Sequence, residues 1–405
     1  MISLDNLANP QRRALDLVRE VAAEKNSRPY LVGGPVRDLF LGRGVIDIDL
    51  TLEEGSSTLA RGVAKRVNGR LRSFPQFLTY KVVAENFPEI DIATARTERY
   101  AHPGALPSVS AGLLKDDLLR RDFSMNAMAL DVLSGEVHDP TGGQEDIRQQ
   151  VVRVLHDGSF IDDPTRILRA IRLTARLGFT IEPRTAELME TAIRDGALTT
   201  VSKERLWHEM ILAFDEVDAP KIIMALNRGG ALDVLIDRRR TVDPADLERV
   251  QKLVASDPSL DRAVLYVAAL LKGNASPVDL EGSGFSMKRT RNVVQIANEL
   301  PRFTDGLAEA ASDRQRFRLL RHASPEMLGV IAANGGGAHV TRFRDYNNFR
   351  LEIRGNDLEV PSGPHIAKAL ERTREAVFTG EIDPEQARSF AQEMAIKYLN
   401  HADSK

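Results

Sequence analysis

Two aspartates, Asp47 and Asp49, occupy alternate positions in IDIDLTLEE, where Ile46, Ile48 and Leu50 are apolar. Strict alternation is typical of a β-strand, so both carboxylates are expected on one face of that strand. Carboxylates this close repel each other unless a cation lies between them, and Mg²⁺ prefers hard oxygen ligands. The pair therefore predicts a two-metal site for phosphoryl transfer. A solvated polar strand face is the commoner origin of an isolated Asp-x-Asp.

A third acid, Asp91, lies in EIDIATART, which also alternates between polar and apolar residues. Glu89 and Asp91 share one face of this second predicted strand, and Ile90 and Ile92 share the other. If the two strands are neighbours, Asp91 completes a site of three carboxylates. The alternative is again a polar strand face.

The pair Gly33-Gly34 follows the short apolar segment YLV and precedes a helical pattern that contains Arg37. Glycines allow a backbone to approach a triphosphate closely, and the start of a helix supplies N–H donors. Arg37 is then placed to contact a phosphate group. A tight turn between a strand and a helix, with no ligand, explains the same residues.

The segment LLRRDFSMN concentrates Arg120, Arg121, Asp122 and Asn126 within nine residues. Asp122 and Asn126 are four residues apart, so they lie one above the other if the segment is helical. Such a pair can form hydrogen bonds with ribose hydroxyls. A cluster of caps and salt bridges is an equally good interpretation.

The segment DDPTRILRAIRLTAR predicts a helix that Asp162 or Asp163 caps, with Pro164 at its first position. One side of this helix is cationic: Arg166, Arg169, Arg172 and Arg176. The other side is apolar: Ile167, Leu168, Ile171 and Leu173. Asp163 and Arg166 offer complementary acceptors and donors, which suits the reading of a base without a nucleic-acid template. An ordinary ion pair between positions i and i+3 is the alternative.

Composition limits the class of protein. The chain has 405 residues with a net charge of −3, 42% hydrophobic and 28% charged residues, and no cysteine. The length predicts two to four domains, and the charge excludes a basic protein that coats DNA, so nucleic acid must bind a local basic face. Disulfides and zinc–thiolate sites are excluded, as expected in a reducing cytoplasm. The N-terminus lacks the apolar core of a signal peptide, and no apolar run is long enough to predict a membrane partner.

The elements that must position these residues change in type along the chain. Strand and helix patterns mix over the first 130 residues, and strand signals fade after Met125. From Asp162 onward nearly every segment has helical periodicity, with breaks near residues 200, 310 and 360. This pattern predicts an α+β protein with a small α/β head and a long helical body. No feature of the sequence determines the oligomeric state.

The segments in order resemble the bacterial tRNA nucleotidyltransferase and poly(A) polymerase family, of the class shared by bacteria and eukaryotes. The resemblance covers about half of the chain and rests on these segments: LVGGPVRDLFLGRGVIDIDL, EIDIATART, LLRRDFSMNAMA, HDPTGGQEDI, FIDDPTRILRAIRLTARLGF and SKERLWHEM. It implies a nucleotidyltransferase head with a mixed sheet, followed by an all-helical neck, body and tail in a seahorse shape. The implied boundaries are 1–130 for the head, 131–200 for the base-recognising neck, 201–310 for the body and 311–405 for a tRNA-binding tail.

The resemblance also implies an activity: addition of CCA, or part of it, to the 3′ end of tRNA from CTP and ATP, with Mg²⁺ as cofactor. Asp47 and Asp49 would be the metal ligands and Asp91 the supporting carboxylate. Gly33 and Gly34 would form the turn at the triphosphate. The other implied nucleotide-binding residues are Arg37 for the triphosphate, Arg121, Asp122 and Asn126 for the ribose, Asp163 and Arg166 for the base, and Arg169 and Arg172 beside the pocket.

The sequence departs from the family pattern at several positions. Pro35 lies inside the glycine turn, Val45-Ile46 replaces Pro-Lys, and Asp162 stands where a glutamate is usual. The stretch ARTERYAHPGALPSVS differs from the flexible basic loop of full CCA-adding members and is closer to members that add only part of the CCA end. This leaves the product open.

Five rival functions are weighed against this one. An A-adding or CC-adding enzyme and a bacterial poly(A) polymerase share the reaction, although the C-terminal residues lack the basic tail expected for arbitrary RNA. The long helical body disfavours a nucleotidyltransferase acting on a small molecule or protein. The three aspartates disfavour a non-catalytic RNA-binding relative. The pairs His138-Asp139 and His156-Asp157 are isolated, so they are interpreted as turns or caps rather than as the metal site of a phosphohydrolase.

Overall fold

The structure, a computed structural model, describes residues 9–44, 47–236 and 242–402. Val45 and Ile46 lie outside the described residues. The strand prediction includes Ile46, and one departure from the family pattern concerns both residues. The chain divides into two compact units, Met1–Arg239 and Arg240–Lys405. The four domains expected from the sequence are a finer division, which stays a prediction. No helix within the described ranges is long and apolar enough to cross a membrane.

The strands all lie in the first unit. Their bounds are β1 (Tyr30–Val32), β2 (Ile48–Leu52), β3 (Arg70–Phe74), β4 (Thr79–Ala84), β5 (Phe87–Thr94), β6 (Arg96–Arg99), β7 (Ser108–Ala111), β8 (Ala129–Asp131), β9 (Val137–His138), β10 (Val151–Val152) and β11 (Thr180–Ile181). The helices of this unit are α1 (Asn9–Lys25), α2 (Gly34–Phe40), α3 (Ser56–Arg66), α4 (Leu114–Leu119), α5 (Gly143–Gln149), α6 (Ser159–Asp162), α7 (Thr165–Leu177), α8 (Pro183–Arg194), α9 (Lys203–Phe214), α10 (Ala219–Arg228) and α11 (Ala231–Ile236).

The head is built on a seven-stranded mixed sheet in the order β3-β4-β5-β2-β1-β8-β9. Only β2 and β5 pair in parallel, and the other neighbours in this sheet are antiparallel. Helices α1 and α3 pack on one another, and α3 packs against β4. Alternate residues of the strands are therefore buried under these two helices. This arrangement confirms the predicted α/β head with a mixed sheet.

The sheet extends further along the chain than the strand signals do. Strands β8 and β9 follow Met125, at which the alternating pattern fades, and they form one edge of the sheet. Every residue of β8 is buried, so the segment shows no alternation and resembles a buried helix in sequence. A second hairpin, β6–β7, and the parallel pair β10–β11 were also not predicted.

The helical part of the first unit is organised around α7. This helix packs against α9 and α10, and its predicted apolar side is buried: Ile167, Leu168, Ile171 and Leu173. The helix begins at Thr165, one residue later than Pro164, which immediately precedes it. From Asp162 onward, β11 is the only strand in the described part of the chain, so the predicted helical continuation is confirmed apart from these two residues.

The second unit is helical throughout its described residues. Its helices are α12 (Pro244–Ser256), α13 (Arg262–Leu270), α14 (Met287–Glu309), α15 (Asp313–Leu320), α16 (Pro325–Ile331), α17 (Gly337–Asn348), α18 (Pro364–Phe378) and α19 (Ala387–Ala402). A π-helical turn (Ala332–Gly336) joins α16 to α17. Pro301 lies inside α14 and lacks an N–H, so the carbonyl of Ala297 accepts the N–H of Gly273 at 2.7 Å instead.

Candidate active site

Asp49 and Asp91 lie side by side, because the parallel strands β2 and β5 pair in a register that joins these two residues. The apolar residues that alternate with them are buried: Ile48, Leu50, Ile90 and Ile92. The acids therefore stand on the opposite face of the sheet, as the alternation predicted. Asp47 lies one residue before β2 and is exposed, yet its charge acts on both other carboxylates. The structure thus sets Asp49 beside Asp91 with the charge of Asp47 nearby, but among the described residues the three acids do not form the expected metal site of three carboxylates.

Burial and mutual repulsion dominate the electrostatics of this cluster, and nearby cations compensate its negative charge only in part. Burial, reinforced by the charges of Asp91 and Asp47, raises the pKa of Asp49 to about 6, although Arg121 opposes the shift. Burial also raises the pKa of Asp91, against the opposing effect of Lys81. A cation bound at the cluster would relieve this repulsion.

The donor set suits a divalent cation that keeps open coordination positions. Within the described ranges, no group of three or more His, Cys, Asp or Glu residues is placed to hold a metal ion by itself. Mg²⁺ is commonly held by one or two carboxylates together with water and substrate phosphates. Asp47 and Asp49 fit that role.

Lys81 is part of this site and was not identified from the sequence. It lies on β4 directly opposite Asp91, and its ammonium is 2.8 Å from the carboxylate of Glu89 and 3.2 Å from that of Asp91. The pattern of LTYKVVAE predicts this strand but assigns no role to Lys81. The long-range pairing of β4 with β5 then decided which carboxylates it meets.

A pocket of about 180 Å³ opens beside the aspartates. We call it the aspartate pocket, and its lining residues are Gly34, Pro35, Arg37, Asp38, Gly44, Asp47, Asp49 and Arg176. The Arg37 guanidinium is buried and donates hydrogen bonds to Asp38 (2.9 Å) and to the side-chain oxygen of Asn126 (2.8 Å). Burial lowers the pKa of Arg37, against the effect of Asp38. The pocket therefore combines fixed arginines with the two candidate metal ligands.

Gly33 occupies a position that only glycine fits. Its φ of +77° lies in the left-handed region, and a Cβ built there would lie 2.8 Å from Nη1 of Arg121. The close approach packs the strand-to-helix turn against Arg121. Gly33 itself does not line the aspartate pocket, whereas Gly34 does.

A second pocket, of about 290 Å³, gathers most of the residues proposed for ribose and base. We call it the arginine pocket, and its lining residues are Glu98, Tyr100, Pro107, Arg120, Arg121, Asp122, Asp163, Thr165, Arg166 and Arg169. Arg120 and Arg121 both form ion pairs with the buried Asp117, at 2.7 and 2.9 Å. Asp117 is a structural partner that the sequence analysis missed.

Asp122 and Asn126 are hydrogen-bonded to each other, although the segment between them is a 3₁₀ turn rather than an α-helix. The amide of Asn126 donates to Asp122 at 3.0 Å, and Arg169 forms an ion pair with Asp122 at 2.6 Å. Burial alone would raise the pKa of Asp122, but Arg169 and Asn126 hold it well below its usual range. Since Asn126 also accepts from Arg37, it links the two pockets.

Asp163 and Arg166 both line the arginine pocket but have different partners. The carboxylate of Asp163 accepts hydrogen bonds from the N–H (3.1 Å) and hydroxyl (2.6 Å) of Thr165, which confirms its expected capping role. Arg166 is buried and donates to the Ser159 hydroxyl (2.6 Å) and to the Arg120 carbonyl (2.9 Å). Its hydrogen bonds are therefore not those of an i,i+3 ion pair.

The predicted cationic side of α7 is largely neutralised by acids from α9 and its C-terminal continuation. Arg169 and Arg172 share the buried Glu209, at 3.2 and 3.1 Å, and Arg172 also pairs with Glu216 at 3.2 Å. Arg169 lines the arginine pocket, whereas Arg172 does not. The nucleotide-binding role proposed for Arg172 stays a prediction.

Asp139 of the first His-Asp pair caps a helix, as interpreted from the sequence, whereas Asp157 of the second pair forms a surface ion pair. Asp139 accepts the N–H groups of Gly143 (2.7 Å) and Gln144 (2.9 Å) at the start of α5. Asp157 pairs with Arg184 at 2.7 Å on the surface.

Two aspartates on neighbouring parallel strands, beside a glycine turn that leads into a helix, define a head of the nucleotidyltransferase fold class. Comparison with known proteins agrees with this assignment. The family described as "Poly A polymerase head domain" matches residues 29–153, and the family described as "Probable RNA and SrmB- binding site of polymerase A" matches residues 178–238.

Individual relatives resemble longer parts of the chain. An A-adding tRNA nucleotidyltransferase of Geobacter sulfurreducens is 31% identical over 93% of this chain and 46% of its own length. A multifunctional CCA protein of Xanthomonas campestris pv. campestris is 39% identical over 51% of this chain and 50% of its own length. The structure of the Thermotoga maritima CCA-adding enzyme complexed with tRNA_CCA is similar with a TM-score of 0.71, at 25% identity, over 96% of each chain.

Residues 29–153 belong to the poly(A) polymerase head-domain family, and the chain is similar beyond them to bacterial tRNA nucleotidyltransferases. It spans about half the length of these two curated relatives.

Proposed function

We propose that this protein adds nucleotides to the 3′ end of tRNA, using CTP and ATP as substrates and Mg²⁺ as cofactor, in the cytoplasm. The observation that carries the proposal is the register of β2 and β5, which sets Asp49 against Asp91 beside the pocket that holds Arg37. The names of the relatives, A-adding tRNA nucleotidyltransferase and multifunctional CCA protein, support the same reaction.

Asp47 and Asp49 would hold the metal, and Asp91 would support them. Bound Mg²⁺ would supply charge neutralisation at the reacting phosphate and lower the pKa of the attacking hydroxyl. The protein's own part is positioning: Arg37 and Arg176 place positive charge beside the aspartates, where the triphosphate of the nucleotide and the leaving pyrophosphate would lie. Because Asp38 and Asn126 already fix the guanidinium of Arg37, its donors need no reorganisation during the transfer.

The arginine pocket would receive the ribose and base of the incoming nucleotide. Arg121, Asp122 and Asn126 would contact the ribose hydroxyls, and Asp163 and Arg166 would contact the base. Cytosine and adenine each carry an exocyclic amino group that donates hydrogen bonds, whereas guanine and uracil carry a carbonyl oxygen at the equivalent place. A carboxylate acceptor at Asp163 therefore favours CTP and ATP. Arg169 would fix Asp122, and Arg172 would support Arg169 through Glu209.

The helical residues after the head would bind RNA. We assign residues 131–200 as a neck that completes base recognition, 201–310 as a body and 311–405 as a tRNA-binding tail. The match of residues 178–238 to an RNA-binding family supports this division in part.

Addition of the terminal adenosine alone is a second candidate. It is favoured by the A-adding relative, whose similarity covers 93% of this chain. The stretch at 95–110, which differs in sequence from a flexible basic loop, forms most of the hairpin β6–β7.

Three tRNA transcripts test the proposal: one that ends before CCA, one that ends in C-C and one that is complete. Each is incubated with Mg²⁺ and CTP, ATP or both, and the 3′ ends are sized, with Asp49→Asn protein as the control for contaminating activity. Full CCA on the first transcript establishes a complete CCA-adding enzyme. Addition of A to the second transcript alone, or of C-C to the first alone, establishes a partial enzyme.

Other outcomes would contradict the proposal. Long A tails on every RNA offered, including an unstructured RNA, would identify a poly(A) polymerase. No extension of any transcript would reject nucleotide transfer to tRNA.

A further inference from the structure

Arg205, on α9, uses one guanidinium to hold two parts of the chain that lie far apart in sequence. Its Nη2 donates to Oδ1 of Asp163 at 2.7 Å, and its Nη1 donates to the carbonyl of Gly104 at 2.9 Å. Gly104 lies in the loop between β6 and β7, residues 100–107, which we call the hairpin loop. Both partners belong to the surroundings of the arginine pocket.

On the Asp163 side, Arg205 helps to determine which carboxylate oxygen is available. Oδ1 accepts three hydrogen bonds, from Arg205 and from the N–H and hydroxyl of Thr165. In the part of the chain that the structure describes, Oδ2 of Asp163 accepts none. Asp163 lines the pocket, so Oδ2 is the oxygen that can accept from a ligand, and its direction is fixed because Oδ1 is held from two sides.

On the other side, the hairpin loop forms a wall of the same pocket. Its two ends, Tyr100 and Pro107, line the pocket. Between them the loop is held at Gly104, whose N–H donates to the carbonyl of Ile161 at 3.3 Å and whose backbone packs so closely on Thr200 that a Cβ would overlap it. Arg205 supplies the second hydrogen bond to this residue.

We propose that Arg205 is a positioning residue for nucleotide selection, which sets the distance between the Asp163 acceptor and the wall formed by the hairpin loop. The proposal rests on the proposed function, because it assigns Asp163 to the base. A fixed acceptor at a fixed distance from the wall accepts the amino groups of cytosine and adenine and disfavours the carbonyl oxygens of uracil and guanine. Without Arg205, Asp163 can rotate and the wall can move, so the wrong bases are accepted more often.

The test compares Arg205→Ala and Arg205→Lys with the wild type and with Arg184→Ala. Arg184 is the matched control, since it lies on a helix of the same unit and its guanidinium also joins two partners, Asp157 and Glu187, but on the surface outside the pocket. kcat and KM are measured for CTP, ATP, UTP and GTP on tRNA lacking CCA and on tRNA ending in C-C. Binding of CTP and UTP is measured by titration calorimetry, and hydrogen exchange is followed in residues 100–107.

We expect Arg205→Ala to reduce discrimination against UTP and GTP by at least tenfold, mainly through a higher KM for the correct nucleotide, with kcat changed less than about threefold. Exchange in the hairpin loop should rise in the same variant. Arg205→Lys keeps the charge but carries its donors on one nitrogen instead of the planar fork that spans the two acceptors, so it should fall between Arg205→Ala and the wild type. Arg184→Ala should match the wild type in every measurement.

Two results would overturn the proposal. The first is unchanged discrimination in Arg205→Ala. The second is an equal loss of kcat/KM with all four nucleotides together with a lower melting temperature, which would show a purely structural role. If the wild type transfers no nucleotide, the proposed function fails on its own. The role of Arg205 is then judged from binding alone: an equal ratio of CTP affinity to UTP affinity in wild type and Arg205→Ala would reject it.

Discussion

Asp49 is a group whose environment opposes its charge. It is partly buried and lies beside Asp91 on the neighbouring parallel strand, and burial together with the charges of Asp91 and Asp47 raises its pKa to about 6. Such an arrangement costs stability in the absence of a cation, and it is characteristic of sites where binding a ligand is the function. The stability of the head and the activity of the site should therefore respond in opposite directions to the same substitution.

Asp49→Asn should abolish nucleotide transfer, with a loss of at least about 10³-fold, while raising the melting temperature of the metal-free protein by a few degrees. The amide keeps the shape of the side chain and removes the repulsion from Asp91 and Asp47. Differential scanning fluorimetry in EDTA and the transcript assay measure the two effects. Asp157→Asn, at an exposed surface pair, should change neither. A melting temperature that falls in Asp49→Asn would contradict this account.

The difference in melting temperature between Asp49→Asn and the wild type should depend on pH, because folding raises the pKa of Asp49. The pKa of Asp49 is raised on folding from 3.8 to about 6, so the native state binds more protons than the unfolded state between these values. The metal-free wild type should therefore lose stability relative to Asp49→Asn as the pH rises from about 4 to 6, and the gap should then stay level. Melting curves at pH 4.5, 5.5, 6.5 and 7.5 measure it, and a gap that is independent of pH would exclude Asp49 as its source.

Gly33 should be more sensitive to substitution than another glycine in the left-handed region nearby. In Gly33→Ala, the backbone strain at φ +77° is joined by a collision with Arg121, whereas in Gly42→Ala (φ +63°) no atom lies within 4 Å of the new Cβ. Both variants should lose about 1 kcal/mol of stability from strain. Only Gly33→Ala should also lose at least tenfold in kcat/KM, because it displaces Arg121. Equal kinetic effects in both variants would show that strain alone is responsible.

At the scale of single residues, the sequence predicted on which face of a strand a side chain lies but not which side chains it contacts. The alternation around Asp49 and Asp91 is local, so it placed both acids correctly on the polar faces of their strands. The contact of Asp163 with Arg205, 42 residues away, depends on the packing of helices and has no local pattern. Lys81 was missed for the same reason.

Among the elements, α7 and α9 form the connection between the two pockets and the helical part of the first unit. The sequence predicted α7 as a helix with one cationic side, which the structure confirms in position. The acids that neutralise that side belong mainly to α9. The periodicity of α7 does not show that α9 is the helix against which α7 packs. Glu209, buried between Arg169 and Arg172, is the central residue of this contact.

Glu209→Ala should destabilise the first unit by roughly 3 kcal/mol, because it leaves two partly buried guanidinium groups without their shared partner. Since Arg169 also holds Asp122, the KM for CTP should rise severalfold in this variant. Urea unfolding and steady-state kinetics measure the two effects. Glu187→Ala, which removes an exposed pair with Arg184, should cost less than about 1 kcal/mol and leave KM unchanged. Similar losses in both variants would argue against a central role for Glu209.

Strands were predicted well where one face is buried and poorly elsewhere. Strands β4 and β5 show alternation and were identified, whereas the edge strand β3 is mostly exposed and β8 is buried on every residue. Neither an exposed nor a fully buried strand has the period-two pattern that the sequence can reveal. The head sheet therefore extends to His138, past the point where the strand signals fade.

At the scale of the whole molecule, the order of the motifs predicted the fold class and the family, because several chemically meaningful segments in one order are far more specific than any one of them. The same order does not determine the product, since complete and partial members share these segments. The net charge of −3 also carries a consequence for the substrate. A chain that is negative overall must bind a polyanion through local cationic surface.

The affinity for tRNA should therefore depend strongly on salt, and the affinity for the nucleotide much less. Each phosphate contact contributes a slope of roughly −0.7 to −0.9 in the logarithm of affinity against the logarithm of salt concentration, so three or more contacts predict a loss of at least about tenfold between 50 and 200 mM KCl. The nucleotide, in contrast, would be held by buried groups such as Arg37 and Arg166, which salt screens weakly.

KM for tRNA and KM for CTP, measured in one assay over this range of KCl with Mg²⁺ held constant, test the expectation with the nucleotide as internal control. A steep slope for tRNA and a shallow one for CTP would show that the RNA is bound on exposed cationic surface, outside the two pockets. Equal slopes would mean that salt acts at the aspartate pocket itself. A flat slope for tRNA would show that the RNA is recognised without substantial phosphate contact, which would contradict the assignment of the helical residues 201–405 to RNA binding.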